Sequence, residues 1–382
     1  MSSRHNCQSM IEDSTIHWLE SGAARVARWR SESAVPPPKR VVIADDQMTA
    51  DTAYHLACEG TAMLWRGDFH NAKQLLQALA RRVDRKKTKP AAAPLDAFNH
   101  HRQAQAQRAR ILGMLLIHFE HGYRINLRRA PDVALACAEA YGSAEGSFVA
   151  ALRELLGIIG AHEWRKKGID IPATGGRIHP HYGVFAPIRA EYVRLVNDAA
   201  LPSTMLAFDV GTGTGVLAAV LAQRGVQKII ATDQDRRALS CAQENIARLG
   251  FAEKVKIVKA DLFPPGCAPL IVCNPPWIPA RPSSPLEHAV YDPDSQMLRG
   301  FLSGLAAHLK PGGEGWLLLS DLAEHLGLRT RAEFLALIEA ANLHIVGRID
   351  IKPIHPRSQD KSDPLYAARA LEVTSLWRLA AR

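Results

Sequence analysis

The sequence of 382 residues lacks the features that would take it out of the ordinary globular class. Its six cysteines (Cys7, Cys58, Cys137, Cys241, Cys267 and Cys273) form no C-x-x-C pair and no Cys/His cluster at zinc-finger spacing. That excludes a disulfide framework and a structural zinc module of the familiar kind, and the thiols read as reduced groups of a cytoplasmic protein. There is no run of about 18 apolar residues, so no membrane span is expected. Met1-Ser2-Ser3-Arg4-His5-Asn6 has no apolar core of a signal peptide. Hydrophobic residues at 47% and charged residues at 22% exclude wholesale disorder.

What is present begins with charge. The formal net charge is +9, and residues 1–170 hold 24 Lys and Arg against 18 Asp and Glu. An anionic partner such as nucleic acid fits this balance, and so does a solvated surface with a basic bias. The length favours two domains. Residues 1–40 end in Val35-Pro36-Pro37-Pro38-Lys39-Arg40, too proline-rich for a helix, and read as a flexible N-terminal arm. From residue 41 to residue 170, apolar residues such as Leu56, Met63, Leu64, Leu75, Leu79, Leu115, Leu116, Phe119, Phe148 and Leu152 recur at helical spacing. They predict an all-helical accessory domain for substrate recognition, crossed by a basic linker from Arg85 to Pro94.

Residues 171–382 change texture. Apolar runs at Met205–Val210, Lys228–Asp233, Lys254–Lys259, Leu270–Cys273 and Gly315–Ser320 alternate with helical stretches, which implies an α/β domain with a Rossmann-like, doubly wound parallel sheet. Two more strands, near Leu343–Ile351 and Leu371–Leu379, close it as a hairpin.

Asp209-Val210-Gly211-Thr212-Gly213-Thr214-Gly215 ends the first of these strands and opens a helix, where small residues let the backbone approach a nucleotide. The spacing G-x-G-x-G lacks the extra residue of the dinucleotide fingerprint, which argues against NAD. Asp233 lies 18 residues after Gly215 at the end of the next strand, suited to accept from both ribose hydroxyls. Asp261 follows the third strand and suits an adenine amino group, with Leu262 against the ring.

In these motifs, together with Asn274-Pro275-Pro276-Trp277, the region from about residue 180 to 380 resembles the class I S-adenosylmethionine-dependent methyltransferases, in particular the small-methyltransferase group with an Asn-Pro-Pro-aromatic motif. The resemblance implies a seven-stranded sheet with one antiparallel strand. It implies S-adenosylmethionine held by Asp209, Gly211, Thr212, Gly213, Gly215, Asp233, Asp261, Leu262 and Asn274. It also implies catalysis at Asn274, Pro275, Pro276 and Trp277. Tyr182 and Phe185, in His179-Pro180-His181-Tyr182-Gly183-Val184-Phe185-Ala186-Pro187, match an aromatic lid over the methionine end. Two histidines there without a third ligand read as loop residues, and no metal is expected.

Two prolines after a buried strand fix an extended bend. The Asn274 side-chain oxygen and the Pro275 carbonyl are then placed to accept the two hydrogens of a planar NH2 group, with Trp277 stacked on the acceptor. The acceptor expected first is a nucleic-acid base, in RNA or DNA. A protein glutamine is the alternative, since Asn274-Pro275-Pro276-Trp277-Ile278 is similar to the Asn-Pro-Pro-Tyr-Ile of glutamine methyltransferases. A cofactor-binding module without catalysis is a third reading, which the intact Asn274-Pro275-Pro276 disfavours.

Overall fold

A computed structural model describes residues 14–85, 93–143, 146–189, 191–282, 287, 289–354 and 359–382. The described residues form two compact units, which divide within residues 86–92, at residue 100 and between residues 163 and 164, so that 93–99 group with the C-terminal unit. Most of the basic linker, residues 86–92, and residues 1–13 of the expected arm lie outside the described residues.

The first unit corrects the all-helical expectation. It holds a six-stranded sheet of β1 (Thr15–Glu20), β2 (Ala23–Trp29), β3 (Arg40–Ala44), β4 (Thr61–Trp65), β5 (Leu115–Phe119) and β6 (Phe148–Ala151) in the order β1-β2-β6-β5-β4-β3. The reading of residues 14–40 as an arm is corrected with it, because β1 and β2 pair antiparallel from Thr15↔Arg28 to Glu20↔Ala23. The physical reason is burial. All five residues of β4 are buried, and all but His118 of β5, so both read as short continuous apolar runs that periodicity cannot tell from pieces of buried helix. Helices were legible where one face is wet. Phe69–Asp84 buries Phe69, Ala72, Leu75, Leu76 and Leu79, is capped by the Asp68 side chain, and exposes its other side. Ile16, Trp18, Ala27, Trp29, Ala62, Leu64, Leu116 and Val149 form one core of this unit.

The second unit opens with a short hairpin, β7 (Ile169–Ile171) and β8 (Gly176–Ile178). It then builds the expected seven-stranded sheet from β9 (Leu206–Val210), β10 (Lys228–Asp233), β11 (Val255–Lys259), β12 (Ala268–Cys273), β13 (Leu309–Ser320), β14 (Leu343–Ile351) and β15 (Thr374–Ala381). The order is β11-β10-β9-β12-β13-β15-β14, and β15 alone runs antiparallel to its neighbours. The central strands are mostly apolar because helices cover both faces, with Asp209 of β9 a buried exception. Ala207, Leu270, Val272, Trp316 and Leu318 belong to one core cluster, while Phe208, Ile271, Cys273, Leu317 and Leu319 belong to another. Those alternating residues point to opposite faces.

Register decides where function can sit. Val210 pairs with Thr232 of β10 and with Cys273 of β12, and Asp233 pairs with Lys259 of β11. Four strands therefore end level, and the residues just beyond them share one edge.

Trp29 is 5% exposed, packs in the first core and donates its indole N–H to the Val35 carbonyl at 2.7 Å. Trp29→Ala should destabilise the first unit by about 3–5 kcal/mol. Chemical denaturation reads this, and an unchanged midpoint would contradict the place of β2 in the sheet.

Candidate functional site

The turn after β9 is held from below. The N–H groups of Gly211 and Thr212 both donate to the Thr232 carbonyl, at 2.9 and 2.8 Å, and Gly215 N–H donates to the Thr212 carbonyl at 2.9 Å. Gly211, Gly213 and Gly215 have φ of +74°, +55° and +81°, a region that side chains rarely tolerate. The space each faces differs. A Cβ on Gly215 would stand 3.2 Å from the Ala242 backbone, and one on Gly211 would meet the Met297 methyl group, whereas Gly213 faces open space. The crest of the turn is thus the part open to a ligand.

Asp209 is 1% exposed and braces the turn. Its Oδ2 accepts from Thr212 Oγ1 at 2.6 Å and from Ala218 N–H at 3.1 Å, while Oδ1 is buried with no partner among the described residues. Burial pushes its carboxyl up to about 6, against the hydrogen bonds from Thr212 and Ala218. Asp233 accepts from Gly213 N–H at 3.0 Å and from Asp235 N–H at 3.0 Å. Its carboxyl is also raised, by burial first. Asp261 is exposed and takes a hydrogen bond from Gln234, the residue after Asp233. Leu262 stands at φ +67° with its carbonyl fixed by Thr232 Oγ1 at 2.5 Å. The structure therefore brings Asp209, the glycine turn, Asp233, Asp261 and Leu262 to one end of the sheet.

Asn274 follows Cys273 directly at the same edge. The Trp277 indole N–H donates to Asn274 Oδ1 at 2.9 Å. Pro275 is buried, while Asn274, Pro276 and Trp277 are half-buried. Trp277 packs against both core clusters, those of the two opposite sheet faces. Its ring packs at the strand ends and is tied to Asn274. The segment beyond is anchored in turn. Asp292 N–H donates to the Ile278 carbonyl at 2.8 Å, and the Asp292 carboxylate accepts from Met297 N–H at 3.0 Å and Leu298 N–H at 3.2 Å.

The aromatic segment lies against the helix Arg236–Arg248 that follows Asp233. Val184 packs on Ala238 and Cys241, and the Arg237 guanidinium stands 5.8 Å from the Tyr182 ring. Phe185 is half-buried. His179 Nδ1 meets the Arg165 carbonyl at 2.6 Å and His181 Nε2 meets Glu244 at 3.1 Å, so the two histidines turn to different partners. Sequence reasoning missed Asn245, fully buried, whose Nδ2 donates to the Thr214 carbonyl at 3.0 Å while its Oδ1 accepts from His179 N–H at 2.8 Å. It also missed Asp292, and Glu372, whose carboxylate accepts from Ser320 Oγ at 2.7 Å and from Arg189 at 3.2 Å. A polar residue on the apolar face of the helix was the one signal for Asn245; the other two carried none.

The residues fit a nucleoside with a positive charge. A crest open above Gly213, a half-buried carboxylate beside it and the orphaned Asp209 oxygen together offer hydrogen-bond acceptors and negative charge in a partly desolvated place. Compared with known proteins, residues 177–331 match the family described as "Methyltransferase small domain". That match covers less than half of the chain and takes in the glycine turn, Asp233, Asp261 and Asn274 to Trp277.

Among curated relatives, a release factor glutamine methyltransferase of Cereibacter sphaeroides is 33% identical over 195 residues, 47% of this chain and 65% of its own length. A tRNA1(Val) (adenine(37)-N6)-methyltransferase of Bacteroides thetaiotaomicron is 31% identical over 146 residues, 36% and 61% of the two chains. Its namesake from Shewanella loihica is 28% identical over 197 residues, 47% and 76%. The chain spans less than two thirds of the length of the first two. Among the described residues, no helix is long and apolar enough to cross a membrane.

Two outcomes follow from the carboxylates. The Asp209 pKa of about 6 in the fold stands above the ordinary 3.8, so the folded chain binds the extra proton and the ionised form is the costly one. This penalty is absent below about pH 4, grows between pH 4 and 6 and is full above. Asp209→Asn should therefore gain stability relative to the wild type on the order of 1–3 kcal/mol from pH 4 to pH 7.5. Denaturant titrations across that range check it, and a difference independent of pH would contradict it. Asp233→Ala should weaken S-adenosylmethionine binding by tenfold or more, and a calorimetric Kd equal to the wild type would remove Asp233 from the site.

Proposed function

We propose that the chain transfers a methyl group from S-adenosylmethionine to the exocyclic amino nitrogen of a nucleic-acid base, with an adenine of tRNA as the main candidate. The observation that carries this reading is the juxtaposition at one sheet edge of the glycine turn after Val210 and Asn274-Pro275-Pro276-Trp277 after Cys273, strand neighbours in register. The relatives named for tRNA adenine methylation support the choice of acceptor. Asp209, Gly211, Thr212, Gly213, Gly215, Asp233, Asp261 and Leu262 hold the methyl donor. Bound there, S-adenosylmethionine would supply an electrophilic sulfonium methyl group: the N–C bond would form as the S–C bond breaks, with S-adenosylhomocysteine as the leaving thioether and the N–H proton passing to water.

The chain's own part is orientation. A conjugated amino nitrogen is a poor nucleophile because its lone pair is delocalised. Asn274 Oδ1 has one lone pair beyond the one that Trp277 uses, and the Pro275 carbonyl accepts no hydrogen bond among the described residues. Each takes one N–H of the acceptor and turns the nitrogen toward the methyl group. Proximity of this kind is worth up to about 7–11 kcal/mol in well-aligned systems, so no strong base is needed. Tyr182 and Phe185 act as the lid. The first unit, with its basic excess, serves recognition of an anionic acceptor, and the cytoplasm is the matching compartment.

A second reading, a glutamine side chain of a protein acceptor, rests on the relative named for release factor glutamine methylation and on the Asn274–Ile278 stretch. The amide NH2 of glutamine is conjugated too, so the same two acceptors serve it. Incubation with methyl-labelled S-adenosylmethionine and cell lysate, followed by nuclease or protease, separates the two. Label released by nuclease is expected, while label that survives nuclease and is lost to protease would overturn the tRNA reading. Asn274→Ala should keep donor affinity and lower turnover by roughly a hundredfold or more; unchanged turnover would contradict the orientation mechanism.

A further inference from the structure

We propose that Trp277 is a positioning residue for Asn274, whose indole N–H fixes which end of the Asn274 amide faces the acceptor nitrogen. The inference rests on the methyl-transfer reading above. An asparagine amide has two ends of nearly equal size, one an acceptor and one a double donor. Presented oxygen-first, it accepts an N–H of the acceptor. Turned by half a rotation, it sets its own NH2 against the acceptor's NH2, and donor meets donor.

Among the described residues, the bond from Trp277 at 2.9 Å is the one hydrogen bond that the Asn274 side chain makes. An indole nitrogen donates and never accepts, so the atom within its reach must be Oδ1 and not Nδ2. The orientation therefore follows from chemistry. The donor is itself immobile. The Trp277 ring packs against the core clusters of both sheet faces, and Pro275 and Pro276 fix the three-residue step between the partners. A carbonyl oxygen has two lone pairs, and one remains for the acceptor.

Tyrosine or phenylalanine at this position could stack but could not do this. Phenylalanine has no polar hydrogen, and the tyrosine hydroxyl sits at the far tip of the ring. The Trp at position 277 thus takes a second role that the shape of an aromatic ring alone does not supply.

The test uses Trp277→Phe and Trp277→Tyr in the full chain, with methyl-labelled S-adenosylmethionine and a total tRNA fraction as the acceptor probe. The expected result is a kcat lowered roughly 3- to 10-fold, the worth of one neutral hydrogen bond, with tRNA KM and donor Kd within about twofold of the wild type and melting temperatures alike. Unchanged kcat, or a raised KM at unchanged kcat, would overturn the proposal in favour of simple stacking. A second arm needs no acceptor. The indole N–H resonance of Trp277, assigned by its loss in Trp277→Phe, should move upfield in Asn274→Ala, and a resonance that stays in place overturns the proposal. A wild-type protein that labels no tRNA counts against the acceptor reading, and the resonance arm then decides the role of Trp277.

Discussion

The constraint on which the rest depends is the level, in-register pairing of β9 with β10 and β12. Parallel pairing sets Val210 beside Thr232 on one side and beside Cys273 on the other. Residues far apart in sequence, Gly211, Asp233 and Asn274, therefore leave the sheet together. Because side chains alternate between faces, a slip of one residue in either pairing would turn every core residue of a strand to the wrong side. The hydrophobic clusters on the two faces thus fix the site as firmly as they fix the fold.

On that frame the polar groups divide the work between bracing and binding. Thr232 holds three neighbours, through its carbonyl to Gly211 and Thr212 and through its hydroxyl to the Leu262 carbonyl. Asn245 bolts Thr214 to the segment at His179, and Asp292 ties the Ile278 loop to the start of the helix Gln296–His308. All three are buried, where an unmet polar group is costly and a met one is correspondingly rigid. Asp209 and Asp233 differ. Each is desolvated beyond what its hydrogen bonds offset, so their carboxyls are raised. A site with that surplus of buried negative charge suits a cationic ligand.

How much of this the sequence discloses depends on the kind of signal. Strands buried on both faces and punctuated by glycine or acid, as at Asp209–Gly215 and Thr232–Asp233, are legible because alternation with helices leaves few topologies. The same burial misleads in the first unit, where β4 and β5 are short apolar runs flanked only by single glycines, Gly60 and Gly67 or Gly113 and Gly122, and the helices next to them lend a false period. The site residues that form motifs were legible in kind. Contacts that depend on the fold were not, among them the bond from Trp277 to Asn274, the brace by Asn245 and the pair of Ser320 and Glu372, 52 positions apart.

Amide hydrogen exchange of the full chain, with and without saturating S-adenosylmethionine, tests the central claim that one sheet edge forms one site. The account predicts slowed exchange confined to the second unit, at Gly211–Gly215, Gln234–Asp235, Asp261–Phe263 and the stretch from Asn274 to Ile278. Protection absent from these segments, or found instead among the strands between Thr15 and Ala151, would contradict it.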